Sequence, residues 1–156
     1  MNVNDYLLDQ SAVDWPKALA PWSWLLPSEL TLWLVNRFSD LFVVLEDGSI
    51  HMLDAGGGTF VKIAEDRNDF CVKIDEENRA NEWLMIPLVD EMVAAGVTLR
   101  VGECYGFKLS PVLGGQYTRD NIAVFPVWDY LGANGSIHEQ IREVPDGAKV
   151  ILEVAN

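Results

Sequence analysis

The clearest periodic signal begins at Leu30, where Leu30, Leu32 and Leu34 alternate with Thr31, Trp33 and Val35. A period of two suits a strand, because successive side chains point to opposite faces; a helix opening at Pro27 is the competing reading. Two short apolar runs follow, over 41–45 and 49–53, separated by Glu46-Asp47-Gly48. Asp-Gly between such runs predicts a hairpin, since glycine takes the positive φ that a tight turn demands. Asp54-Ala55-Gly56-Gly57-Gly58 predicts the next turn and Thr59–Ala64 the next strand, which together make an antiparallel meander.

Helical spacing then takes over. Phe70 and Ile74 lie one turn apart in the segment 66–74. Residues 76–95 read as helical, with Leu84, Leu88, Met92 and Ala95 on one stripe, Pro87 as a break or kink and Gly96 as the stop. Residues 97–101 return to strand. Ser136-Ile137-His138-Glu139 has the Ser-x-x-Glu spacing of a capping box, which predicts a short helix opening there and running to Val144. Asp146-Gly147 then makes a turn and 149–154 a last strand. Upstream, Trp15-Pro16, Pro21-Trp22-Ser23-Trp24 and Pro27 exclude a long helix. A short helix over 5–10 and an irregular segment are expected there, with Trp15, Trp22 and Trp24 covering a sheet face. The sum is one α+β domain, an antiparallel meander with helices packed on one side. Residues 1–28 form a Trp/Pro-rich lead-in to a core over 29–156.

Charge narrows what such a domain binds. The 156 residues carry 11 Lys+Arg against 24 Asp+Glu, a formal net charge of −13. Nucleic acids and anionic membranes need a basic footprint, so neither is an expected partner. Disorder is excluded by a hydrophobic fraction of 49%. The amino terminus lacks a basic stretch followed by an apolar one, and no apolar run approaches the roughly 18 residues of a membrane span, so a cytoplasmic location is expected. The acids are concentrated early: residues 1–96 hold 17 acidic and 6 basic side chains, and 65–82 alone hold seven against three. That run reads either as a solvated helical face or as a surface for a cationic protein.

Candidate chemistry is sparse. Cys71 and Cys104 are too few for a disulfide framework and each reads as a small buried hydrophobe. His51 and His138 are the only imidazoles, the first in an alternating strand and the second in the first turn of the capped helix. No Gly-x-Ser-x-Gly is present, and a Cys104–His pair is the only formal nucleophile–base option. The acids lack calcium-loop spacing, so no metal site is expected. Gly56-Gly57-Gly58 has no Lys-Ser/Thr after it and Gly114-Gly115 no neighbouring Lys, so both read as turns rather than phosphate loops. No catalytic residue and no cofactor is expected.

A more specific pattern begins at Gly102. The stretch Gly102-Glu103-Cys104-Tyr105-Gly106-Phe107-Lys108, then Pro111-Val112-Leu113-Gly114-Gly115-Gln116-Tyr117, then Asp120-Asn121-Ile122, resembles a bacterial family of small acidic domains. Phe38-Ser39-Asp40-Leu41-Phe42, Gly48 and Leu53-Asp54 fit its upstream elements, with Ser39 where the family usually has Gly. Gly135-Ser136-Ile137-His138-Glu139-Gln140 and Pro145-Asp146-Gly147 look like its closing segment. The family takes its name from the carboxy-terminal domain of a type VI secretion immunity protein, which protects its producer from a secreted DNase. In physical terms the motif reads first as architecture, with Tyr105, Phe107 and Tyr117 supplying buried area and the glycines supplying turns.

The resemblance and the charge together point to a non-catalytic binding protein that neutralises a nuclease toxin through an acidic surface. Charge density, not the family motif, singles out Asp66, Asp69, Asp75, Glu76 and Glu77 for partner binding, with Trp83 as an anchor. The alternative is a small-molecule or regulatory domain in which Tyr105, Trp128 and Tyr130 line a pocket.

Overall fold

The computed structural model describes residues 2–145 and Gly147. Four strands, β1 (Thr31–Val35), β2 (Leu41–Val44), β3 (Ile50–Asp54) and β4 (Thr59–Ala64), pair in sequence order, every pair antiparallel. The β2–β3 turn closes as Gly48, at φ +84°, donates its N–H to the Leu45 carbonyl at 2.9 Å. The strand reading of 30–35 therefore holds over a helix at Pro27.

Alternation along β2 sends its side chains to two different layers. Leu41 and Val43 join Trp22, Val35, Leu53 and Leu131, whereas Phe42 joins Ile50, Ala64, Phe70 and Leu84. On the first face lie α1 (Trp15–Leu19) and α5 (Val127–Ile141); on the second lie α2 (Arg67–Lys73), α3 (Arg79–Trp83) and α4 (Ile86–Ala94). The α+β class and the meander are as expected, and the helices reach both faces because both faces of β2 are apolar. A separate two-stranded sheet, β5 (Glu103–Phe107) with β6 (Ile122–Pro126), packs on α4 through Tyr105, Phe107, Ile122 and Met92. Among the described residues, no helix is long and apolar enough to cross a membrane.

The tryptophans of the opening segment cover the first sheet face. Trp22 is fully buried and donates its Nε1–H to the Leu131 carbonyl at 2.9 Å, and Trp24 stacks on it and reaches the Gly135 carbonyl at 3.2 Å.

Several expectations are corrected. No helix spans 5–10; a single 3₁₀ turn occupies Val3–Tyr6, and Leu7 instead bridges Asn36. Around Trp15 the chain is helical rather than irregular, since Asp14 caps it and Pro16 sits in its first turn, where no N–H is missed. The helix read over 76–95 is two helices: Met85 takes a left-handed conformation (φ +53°) and Pro87 opens α4. Its buried residues are Ile86, Val89 and Met92; of the predicted stripe Leu84 and Met92 are buried, Leu88 is half-buried beside Val89 and Met92, and Ala95 is exposed. Residues 97–101 form no strand despite their alternation; the Val97 N–H bonds the Met92 carbonyl, the Arg100 N–H bonds Glu103, and Val101 is exposed. Ser136 caps nothing, since it lies inside α5, which begins nine residues earlier. Cys71 is exposed and only Cys104 is buried. Tyr117 is 54% exposed, with its ring edge-on to Phe107. The strand expected over 149–154 lies outside the described residues.

Candidate functional site

The acid-rich run folds into α2, α3 and the turn between them. Asp66 caps α2 by accepting the Asp69 N–H at 2.7 Å, so this carboxylate is committed to holding the helix start. Asp69 accepts the Glu65 N–H and pairs with Lys73 at 3.0 Å, contacts that hold its carboxyl below the usual range. Asp75, Glu76 and Glu77 follow in the exposed turn; Glu76 pairs with Arg79 at 2.9 Å, and Glu77 sits at φ +51°. Trp83 is half-buried, stacked on Phe70 with centroids 5.1 Å apart. The five acids thus lie at the cap of α2, on α2 and in the turn that follows it, and Trp83 is on the next helix, α3.

The three aromatic residues assigned to a pocket are not gathered. Tyr105 is fully buried in the β5–β6 cluster and donates its hydroxyl to the Val97 carbonyl. Tyr130 packs in the first-face core, and Trp128 is 59% exposed in the first turn of α5.

A polar centre that the sequence only hinted at lies between the turns of the meander. Asn36, fully buried, donates to Asp40 Oδ2 and to the Trp83 carbonyl, each at 2.9 Å, and accepts from the N–H groups of Phe38 and Asp40. Asp40 Oδ1 accepts the Ala55 N–H at 2.9 Å, and the Ala55 carbonyl accepts His138 Nε2–H at 2.9 Å. Four separated segments are therefore tied by one chain of hydrogen bonds. Burial, with the charge of Asp54 adding to it, pushes the Asp40 carboxyl up to about 8. Burial also holds His138 below its ordinary value, so it is a neutral donor here. The elements Phe38–Phe42, Leu53-Asp54 and His138 stood far apart in the sequence; Asn36 was missed, since nothing marks one buried asparagine among several exposed ones.

The Cys104 thiol lies in the core, and burial pushes it up to about 12, so it stays protonated at neutral pH. That is the opposite of an activated nucleophile. Among the described residues no three His, Cys, Asp or Glu side chains are grouped to hold a metal ion.

Beside this centre a cleft of about 590 Å³ lies between the 55–58 turn, the 111–114 loop and the end of α5. Gly58 stands at φ +72° against the His138 ring, where a Cβ would collide with it. Arg142 lies over the Trp24 ring, 5.7 Å from its centroid, at the same cleft. Arg142 gave no signal in the sequence, because an isolated arginine after a helix is ordinary.

A family model described as "T6SS immunity protein Tdi1, C-terminal" matches residues 64–138, from the end of β4 to His138. No curated protein matches the chain. Among solved structures, the chain is similar to that titled "Crystal structure of Atu4351 from Agrobacterium tumefaciens", with a TM-score of 0.51 and 16% identity over 76% of this chain. The match spans 59% of that chain's length, and at this identity the likeness is one of fold.

Proposed function

We propose that this domain is a non-catalytic binding protein of the immunity type, which neutralises a secreted nuclease by seating an acidic surface in its basic substrate groove. The observation that carries the reading is the immunity-family match over 64–138, because those residues include every acid from Glu65 to Glu91. A nuclease groove is built to attract polyanions, and a folded anionic face competes for it while accelerating encounter. The contact set is Asp66, Asp69, Asp75, Glu76 and Glu77, with the uncovered part of Trp83 as its apolar element.

The test reverses Asp75, Glu76 and Glu77 together to Lys, leaving Asp66 and Asp69 to their helix-holding roles. Affinity is measured for the toxin-like nuclease whose gene neighbours that of this chain. Binding is expected to weaken at least about tenfold at low salt, and less at high salt, with an unchanged melting curve, because exposed pairs contribute little to stability. The absence of such a neighbour, or undiminished protection of cells by the triple variant, counts against the reading.

A further inference from the structure

The six tryptophans divide into two sets by what their indole N–H groups do. Trp15, Trp22 and Trp24 donate to the backbone carbonyls of Gln10, Leu131 and Gly135. Trp33, Trp83 and Trp128 donate to no group among the described residues. A buried indole N–H usually finds an acceptor, so an idle one marks a ring whose polar tip is left for something else. Two of the three share one site. Trp33 on β1 is half-buried and stands edge-on to Phe70, with centroids 5.0 Å apart. Trp83 on α3 is half-buried and stacks on the same ring at 5.1 Å. Phe70 is itself buried and lies edge-on to Phe42 in the core. Both indoles are therefore held by a fixed ring, and little side-chain freedom remains for them to lose on binding.

The Trp33 ring already seats a cation. The Arg67 guanidinium lies over it, 5.4 Å from the centroid, within reach of a cation–π contact. Arg67 follows Glu65 and Asp66 in the chain, yet it belongs to none of the ion pairs formed among the described residues. Lys62, Lys73 and Arg79, by contrast, each take a carboxylate. Arg67 is exposed, and a contact of this kind is worth only about two- to fivefold in an equilibrium, so a second guanidinium can displace it. Charge favours the exchange. Asp75 and Glu77 in the turn after α2 and Glu82 on α3 are exposed, and form no ion pair among the described residues. A flat guanidinium stacks on an indole where a compact, strongly hydrated ammonium does not, so the seat suits arginine better than lysine.

We propose that the Trp33–Phe70–Trp83 cluster receives an arginine side chain of a cationic partner protein, which replaces Arg67 over Trp33 while the idle indole N–H groups donate to the partner's backbone carbonyls. Arg67 is then a resident stand-in that sets a threshold for binding. The inference rests on the proposed reading of α2 and α3 as the face a cationic protein meets, and adds which cation that protein presents. Its test needs no toxin, so its failure and that of the nuclease reading are told apart: the first shows in peptide binding, the second in protection of cells.

The test titrates the full chain with a capped peptide of Gly-Arg repeats and with its Gly-Lys counterpart of equal charge, reading indole N–H shifts by two-dimensional NMR. Saturable shifts are expected at Trp33 and Trp83 with the arginine peptide, at least about threefold tighter than with the lysine peptide, the scale of an exposed cation–π contact. Trp128, 59% exposed and equally idle but with no ring beside it among the described residues, is expected to stay still and serves as the internal control. Arg67→Gln is expected to tighten the arginine peptide about two- to fivefold, and by more than Lys17→Gln, which removes the same charge from α1 on the other face of the sheet. Trp33→Leu is expected to abolish the preference for arginine; should that variant fold poorly, Arg67→Gln and the shift map still decide. The proposal is overturned by any of four results: no saturable shift at Trp33, equal affinity for the two peptides, an equal response at Trp128, or binding no tighter in Arg67→Gln than in Lys17→Gln.

Discussion

Ser39 occupies a position where the chain pays for having a side chain. Its φ of +63° lies in the left-handed region, and it is fully buried, with only the Cys104 thiol beside its hydroxyl and no well-formed hydrogen bond. Left-handed geometry costs a residue with a Cβ about 1 kcal/mol, and a buried, poorly partnered hydroxyl adds to that. Ser39→Gly is therefore expected to raise stability by about 1 kcal/mol in urea unfolding, despite the greater freedom of glycine in the unfolded chain. Unchanged or lower stability would mean that the Ser39 hydroxyl holds Cys104 or the neighbouring turn more firmly than its geometry shows. The opposite substitution belongs at Gly58. Both its positive φ and the His138 ring oppose a Cβ, so Gly58→Ala is expected to cost about 2 kcal/mol or more, through overpacking and backbone strain together.

At the level of elements, α5 separates what a sequence pattern shows from what it hides. Its buried positions are Val127, Tyr130, Leu131, Asn134, Gly135 and His138, a regular helical stripe. Three of the six are Asn, Gly and His, so a count of apolar residues does not detect it. Its start is hidden as well: Pro126 offers no capping side chain, and the Val127 N–H is satisfied by the Gly102 carbonyl at 2.9 Å, a contact that exists only after folding. Gly135 is there because the backbone of Pro21 comes within 2.9 Å of where its Cβ would be. Two substitutions follow. Ser136→Ala should change stability by less than about 0.5 kcal/mol, whereas loss of a true N-cap costs about 1. Gly135→Ala should destabilise by about 1–3 kcal/mol through overpacking, although alanine is the better helix former. A substantial loss at Ser136, or a gain at Gly135, would mean that α5 is built differently. The meander was readable because its turns carry Asp-Gly and Gly-Gly-Gly and its strands alternate, all local features. The pairing of β5 with β6 was not, since the 14 residues that join them hold together through the Asn121 side chain, which bonds Leu109 and Gln116. The acid-rich run was legible from charge density alone. The cleft was not, because Trp24, the glycine turn, the 111–114 loop and Arg142 meet only in three dimensions.

Across the whole molecule, the buried Asp40 and the two histidines set opposing responses to pH. The Asp40 carboxyl is pushed up from an ordinary value near 3.8 to about 8, so between those limits the folded chain holds a proton that the unfolded chain has released. Stability contributed this way is complete below the lower value and is lost as pH rises toward the upper one, with a slope of at most about 1.4 kcal/mol per pH unit. His51 and His138 act in the reverse sense. Burial lowers both, so below their ordinary value of about 6.5 the unfolded chain binds the extra protons and stability rises with pH. The two effects oppose each other at mildly acidic pH, and only that of Asp40 persists above about 6.5. Self-repulsion in a chain of net charge −13 adds to the high-pH loss only weakly over that interval, because few other groups titrate there. The urea midpoint is accordingly expected to fall between pH 6.5 and 8, and Asp40→Asn to flatten that fall. Asparagine keeps an oxygen for the Ala55 N–H but sets one amide donor against another at Asn36, so the variant starts from lower stability at pH 6 and the comparison rests on slope. A variant that retains the parental slope would place the titrating group elsewhere, and would mean that Asp40 is ionised in the core and held by Asn36 and Ala55 alone.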